Sequence, residues 1–203
     1  MSSYIRPRRP GATIFFSVAL AERGSTLLVD QIDRLRSAVG LTRRERPFHV
    51  DAWVVLPDHM LCIWTLPAND ADFSRRWGAI KSRFSRGLPS GRQRGSHGVR
   101  REKGVWQRRF WEHHIRGVED YADHMRFCWS SPVRQGLVPR PEDWEFSSIH
   151  RDIREGRYGV LDSASCAVSG SDKGAQNAHP AGRDVAVALP SGVLRSLNLC
   201  RPS

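Results

Sequence analysis

The stretch PFHVDAWVVLPDHMLCIWTLP, residues 47 to 67, constrains the fold more than any other. Two apolar, β-rich runs stand on either side of the turn Leu56-Pro57-Asp58. Strands joined by so short a turn pair as an antiparallel hairpin. The hairpin is flanked on both sides by a strand and a helix. Before it, ATIFFSVAL (12 to 20) reads as a buried strand. TLLVDQIDRLRSAVG follows, with Leu28, Ile32, Leu35 and Val39 at spacings of three and four. That spacing predicts an amphipathic helix, capped by Ser25 and stopped at Gly40.

After the hairpin, Asn69 and Asp70 are helix caps. ADFSRRWGAIKSRFSRGL carries Phe73, Trp77, Ile80 and Phe84 at helical spacing. VWQRRFWEHHI (105 to 115) reads as a strand. Val118 to Ser131 reads as a helix that Pro132 ends. A loop and a short helix fill 140 to 159. The order is β-α-β-β-α-β-α, which predicts an α+β fold: a ferredoxin-like antiparallel sheet with helices packed on one face. Residues 1–162 are expected to form this one domain. From 163 to 203 the chain turns small, polar and aperiodic, and a disordered tail is expected there.

The formal net charge of +11 points to a polyanionic partner, with nucleic acid first. The excess is local. Between Ser74 and Arg109 stand twelve basic residues and one acidic residue, Glu102. The basic residues are Arg75, Arg76, Lys81, Arg83, Arg86, Arg92, Arg94, Arg100, Arg101, Lys103, Arg108 and Arg109. They form the expected DNA-binding surface, with PSGRQRGSHGVRREKG as a flexible basic loop. Of the tryptophans, Trp53, Trp64 and Trp77 read as core. Trp106 and Trp111, beside the loop, are the best candidates for stacking on bases, although core packing suits them too. His113 and His114 suit DNA contact and plain exposure equally. Four dispersed cysteines, Cys62, Cys128, Cys166 and Cys200, argue against a disulfide framework and a zinc site. Neither a signal peptide nor a membrane span is visible, so a cytoplasmic, nucleoid-associated protein is expected.

Seven segments occur in one order along the chain: VLPDHM, IWTLP, DADFSRRWGAIKSRFSR, GVWQRRFWEHHIR, DYADHM, SPVRQGLV and DWEFSSIHR. Together they resemble the REP-associated tyrosine transposases, relatives of the IS200-like single-strand transposases in the HUH nuclease class. The likeness covers about residues 10 to 160. It implies a ferredoxin-like sheet and DNA transposition by cleavage and rejoining of single-stranded DNA beside repetitive palindromic hairpins. It also implies a monomer or homodimer. In the family pattern a tyrosine forms a 5′-phosphotyrosine link. Two histidines at i and i+2 of a strand hold Mg²⁺ or Mn²⁺, and a polar residue on the tyrosine's helix completes the site. The spacing suits the chemistry, because side chains at i and i+2 of a strand share a face.

This chain departs from the pattern at three positions. His59 matches the first metal ligand, but Leu61 stands where the second histidine belongs and has no lone pair. Cys62 points to the other face. Phe127 occupies the nucleophile's position without a hydroxyl, and Ser131 occupies that of the polar third ligand. Tyr121 is about 240° around the helix from Phe127 and cannot replace it. His124 matches a packed family histidine. A DNA-binding protein of transposase ancestry, deficient in cleavage and holding no metal tightly, is therefore expected. The alternative is an active single-strand endonuclease with a rearranged metal site.

Overall fold

A computed structural model describes residues 8–88 and 104–158. The elements are β1 (Thr13–Ala19), α1 (Leu27–Asp30), α2 (Ile32–Glu45), β2 (His49–Val55), β3 (His59–Thr65), α3 (Phe73–Ser85), β4 (Trp111–His114), α4 (Val118–Arg134), a 3-10 turn at Pro141–Asp143 and α5 (Ile149–Arg154). The four strands make one sheet in the order β2-β3-β1-β4. All neighbouring pairs are antiparallel. This is the expected ferredoxin-like α+β sheet.

Residue alternation in the strands divides the core into two layers. Ile14, Phe16, Val18, Met60, Cys62 and Trp64 face α2 and α3, and meet Leu35, Phe73, Trp77, Ile80 and Phe84. Trp64 and Trp77 stack there with ring centroids 4.3 Å apart. On the opposite face Phe15, Ala52, Val54, Leu61 and Ile63 meet Ala122, Met125, Cys128 and Trp129 of α4 and Ile149 of α5. The expectation of helices on one face thus holds for α2 and α3, while α4 covers the other. A sheet covered on both faces needs apolar residues at consecutive positions. That is why β1 reads Phe15-Phe16 and β3 reads Met60-Leu61-Cys62-Ile63-Trp64.

Several boundaries differ from expectation. The helix expected from Ser25 breaks at Gln31 into α1 and α2, and Asp72, in place of Asn69 or Asp70, caps α3 by accepting from the Arg75 N–H. Gly40 does not stop α2, which runs to Glu45 and leaves Thr42 buried. Pro132 does not stop α4. It lies in the last turn, where its missing N–H forfeits a single helical bond, and the helix reaches Arg134. The expected strand 105–115 is split. Leu20 bridges Trp106 and Ser17 pairs with Trp111, so three steps along β1 face five along its partner. The Gln107 N–H still donates to Ala19 O at 3.0 Å, and the chain leaves the ladder at the exposed Arg108 and Arg109. The tail 163–203 and the basic residues Arg92, Arg94, Arg100, Arg101 and Lys103 lie outside the described residues.

Candidate functional site

The β2–β3 turn is tied down before it presents any chemistry. The Leu56 N–H donates to His59 O (2.8 Å), and the Leu20 N–H donates to Asp58 O (2.8 Å). The Asp58 carboxylate accepts from the Gly24 N–H at 2.8 Å and pairs with Arg23. Burial alone would raise the Asp58 pKa, but the Gly24 N–H, His59 and Arg23 together hold it below the usual carboxylate value. Asp58 accepts from His59 Nδ1 at 2.6 Å. The opposite ring nitrogen, Nε2, is thereby left as an acceptor for the Gln135 amide 3.1 Å away. A carboxylate on one imidazole nitrogen is how metal-binding histidines are oriented. His59 keeps that orientation.

The rest of the family-type site is apolar or satisfied. Leu61, on the same face as His59, is 4% exposed and packs in the α4-side core. Phe127 meets Phe15 edge-on at 5.9 Å, and the Arg134 guanidinium lies 5.0 Å from its ring centre. Ser131 is buried, and its hydroxyl donates to Phe127 O at 2.5 Å. Of the residues at the family's site positions and beside them, a divalent ion would find one imidazole, one amide already bonded to it, and a leucine in place of a second imidazole. These residues do not fit the family's metal. Gln135 did not figure among the sequence candidates. The signal was available, because Gln135, which caps the C-terminus of α4, lies four residues beyond Ser131 and eight beyond Phe127, in line with one helix face.

Tyr121 is no substitute nucleophile. Its hydroxyl donates to Asp51 Oδ1 at 3.3 Å. Burial, then the Asp51 charge, push its pKa far above that of a free phenol.

A second polar group lies where β4 meets the start of α4. His113, Asp120 and His124 lie close enough together to offer ligands to one metal ion. As they stand they brace one another. Asp120 accepts from His113 Nε2 (2.9 Å) and from the Arg116 N–H (2.9 Å). His124 Nδ1 donates to Asp120 O at 2.7 Å. Burial would raise the Asp120 pKa, but His113, the Arg116 N–H and His124 hold it low. Burial lowers the His124 pKa against the pull of Asp120. The two imidazoles stack at 4.7 Å and 12°, so their ring planes run side by side instead of converging on one ion. His124 is 1% exposed, as a packed residue should be.

The basic residues separate into two kinds. Arg75, Arg86, Arg108 and Arg109 are exposed. Arg76 is a correction to the expected DNA-binding set, being 1% exposed. Its guanidinium donates to Arg46 O, Asp72 O and Pro47 O, and pairs with Asp70 at 2.7 Å. Arg83 donates to Thr42 Oγ1 and pairs with Glu45. Lys81 donates to Gln107 O and sits over the Trp106 and Phe110 rings. Much of α3's charge therefore fastens α3 to α2 and to the 106–110 segment.

No protein-family model matches the chain. Among curated proteins it is 45% identical over 160 residues to the REP-associated tyrosine transposase of Escherichia coli K12, covering 79% of this chain and 90% of that protein. It is 39% identical over 160 residues to a Haemophilus influenzae protein whose name places it in the same family, covering 78% and 91%. Among solved structures, a REP-associated tyrosine transposase bound to a REP hairpin matches with a TM-score of 0.68 at 45% identity. That match covers 78% of this chain and 88% of the other.

Proposed function

The chain belongs to the REP-associated tyrosine transposase family, and from that premise we propose that it binds single-stranded or hairpin DNA without cutting it. One observation carries the second half. Phe127, the residue at the nucleophile's place, has no hydroxyl and is closed in by Phe15 and Arg134. Covalent strand transfer needs a side-chain oxygen at that point. Leu61 removes the second metal ligand and Ser131 spends its hydroxyl on the backbone. Support for DNA binding comes from the net charge of +11, the exposed arginines, and the hairpin held by the similar solved transposase. Repetitive palindromic hairpins are the DNA class this reading assigns. Mg²⁺ and Mn²⁺, the ions the resemblance implies, have no complete ligand set at His59. In the DNA-bound state these residues do simpler things. The arginines neutralise phosphates, and His59 with Gln135 presents a polar edge to the strand.

The test is a labelled single-stranded hairpin oligonucleotide incubated with the protein and either Mg²⁺ or Mn²⁺. A native gel should show a shifted complex, and a denaturing gel should show only intact oligonucleotide. Cut or protein-linked DNA would contradict the proposal and favour the active endonuclease.

A further inference from the structure

We propose that the exposed face of Trp111 is a stacking site for one unpaired base of single-stranded DNA. The inference rests on the DNA-binding function proposed above and adds to it the place and the chemistry of one contact. Of the two tryptophans beside the basic segment, the structure leaves one available. The Trp106 indole N–H donates to Lys81 O (3.2 Å) and to Ser85 Oγ (3.1 Å), and the ring packs on Phe84. Trp111 is 40% exposed.

A single exposed aromatic is common and by itself means little. What distinguishes Trp111 is how firmly its plane is set. Phe15 meets it edge-on at 5.7 Å and 69°. His113, two residues on and on the same face of β4, lies parallel to it at 6.0 Å and 6°. His113 lies parallel in turn to His124, and the Asp120 carboxylate fixes it from the side. Trp111, His113 and His124 therefore form a file of near-parallel rings, anchored in the core at His124 and open at Trp111. A ring so held loses little rotamer freedom when another flat group lies on it. A nucleobase is such a group, and sequence-tolerant stacking on a fixed aromatic is how single strands are held.

The location agrees. Register pairs Leu61 with Ser17 and Ser17 with Trp111. Trp111 is therefore two strands from Leu61, roughly 10 Å away across the face that carries the His59 and Phe127 positions. A strand lying over that site passes Trp111. Arg108 and Arg109, both exposed, stand just before it in the chain to meet its phosphates. A base inside a duplex is already stacked on both faces, so the site selects unpaired DNA.

The experiment compares the natural chain with Trp111→Ala and Trp111→Phe on three probes: an oligothymidine, an abasic strand of equal length, and a blunt duplex. Binding is read by fluorescence anisotropy. Trp111→Ala should weaken oligothymidine binding about tenfold, and leave the abasic and duplex probes unchanged. Trp111→Phe should retain most of the affinity, and the unchanged probes show that both variants are folded. Equal binding of oligothymidine by natural chain and Trp111→Ala, or an equal loss on the abasic strand, overturns the stacking site alone. Failure of the natural chain to bind any of the probes overturns the DNA-binding function as well.

Discussion

At the scale of the residue, the same position type serves either packing or chemistry, and burial decides which. Leu61 stands where the family pattern has a ligand, yet it is nine-tenths and more enclosed in the α4-side core. Leu61→Ala should cost about 2–5 kcal/mol of stability, read as a lower urea midpoint with an unchanged slope. Arg75 and Arg76 are neighbours with opposite roles. Arg76→Ala strands several carbonyls and Asp70, and should destabilise by at least about 2 kcal/mol. Arg75→Ala, on an exposed side chain, should change stability by less than about 0.5 kcal/mol while weakening DNA binding. Equal melting temperatures for the two variants would contradict this division. The expectation that Leu61, Phe127 and Ser131 stand at the family's site positions rests on their fixed offsets in motifs of the sequence. The burial of Arg76 was not legible in the sequence, because its acceptors at Arg46 and Pro47 come from another element.

Elements show where local rules yield to packing. Gly40 and Pro132 are ordinary stop signals, but α2 continues past Gly40 to bury Thr42, and α4 ends only two residues beyond Pro132. Among the described residues, periodicity located the four strands and the long helices α2, α3 and α4, but it could not place α4 on the opposite face. The doubled apolar pairs in β1 and β3 were the available sign of a sheet covered twice. The start of α4 also carries a pH dependence. His124 has a folded pKa below the ordinary imidazole value and Asp120 one below the ordinary carboxylate value. Each contributes stability that is present above its unfolded pKa and lost as pH falls through its folded one. The melting temperature should therefore begin to fall below about pH 6.5, the ordinary imidazole value, and continue falling into the carboxylate range. In His124→Gln the first part of that fall should be shallower. A melting temperature that rises on acidification through this range would contradict the assignment.

The described residues are built around one four-stranded sheet, and the chain as a whole carries a formal net charge of +11. If phosphates meet the exposed arginines, binding must weaken steeply with salt, because each neutralised phosphate releases counterions. The logarithm of affinity should fall linearly with the logarithm of salt concentration, and Arg75→Ala together with Arg86→Ala should make the slope shallower for every sequence alike. Chelating divalent ions should leave the affinity unchanged, because the function proposed above routes DNA binding through the arginines and through no metal at His59. A flat salt response, or a loss of binding with chelator, would contradict these expectations.

The most direct measurement sets the natural chain beside the triple replacement Leu61→His, Phe127→Tyr, Ser131→Asn. Both are incubated with labelled single-stranded hairpin DNA and Mn²⁺, then run on a denaturing gel that resolves protein-linked DNA. A silent natural chain and a restored variant that becomes covalently attached would show that the fold kept the catalytic face and lost only its chemistry. Cleavage by the natural chain would show instead that its nucleophile lies outside the position of Phe127.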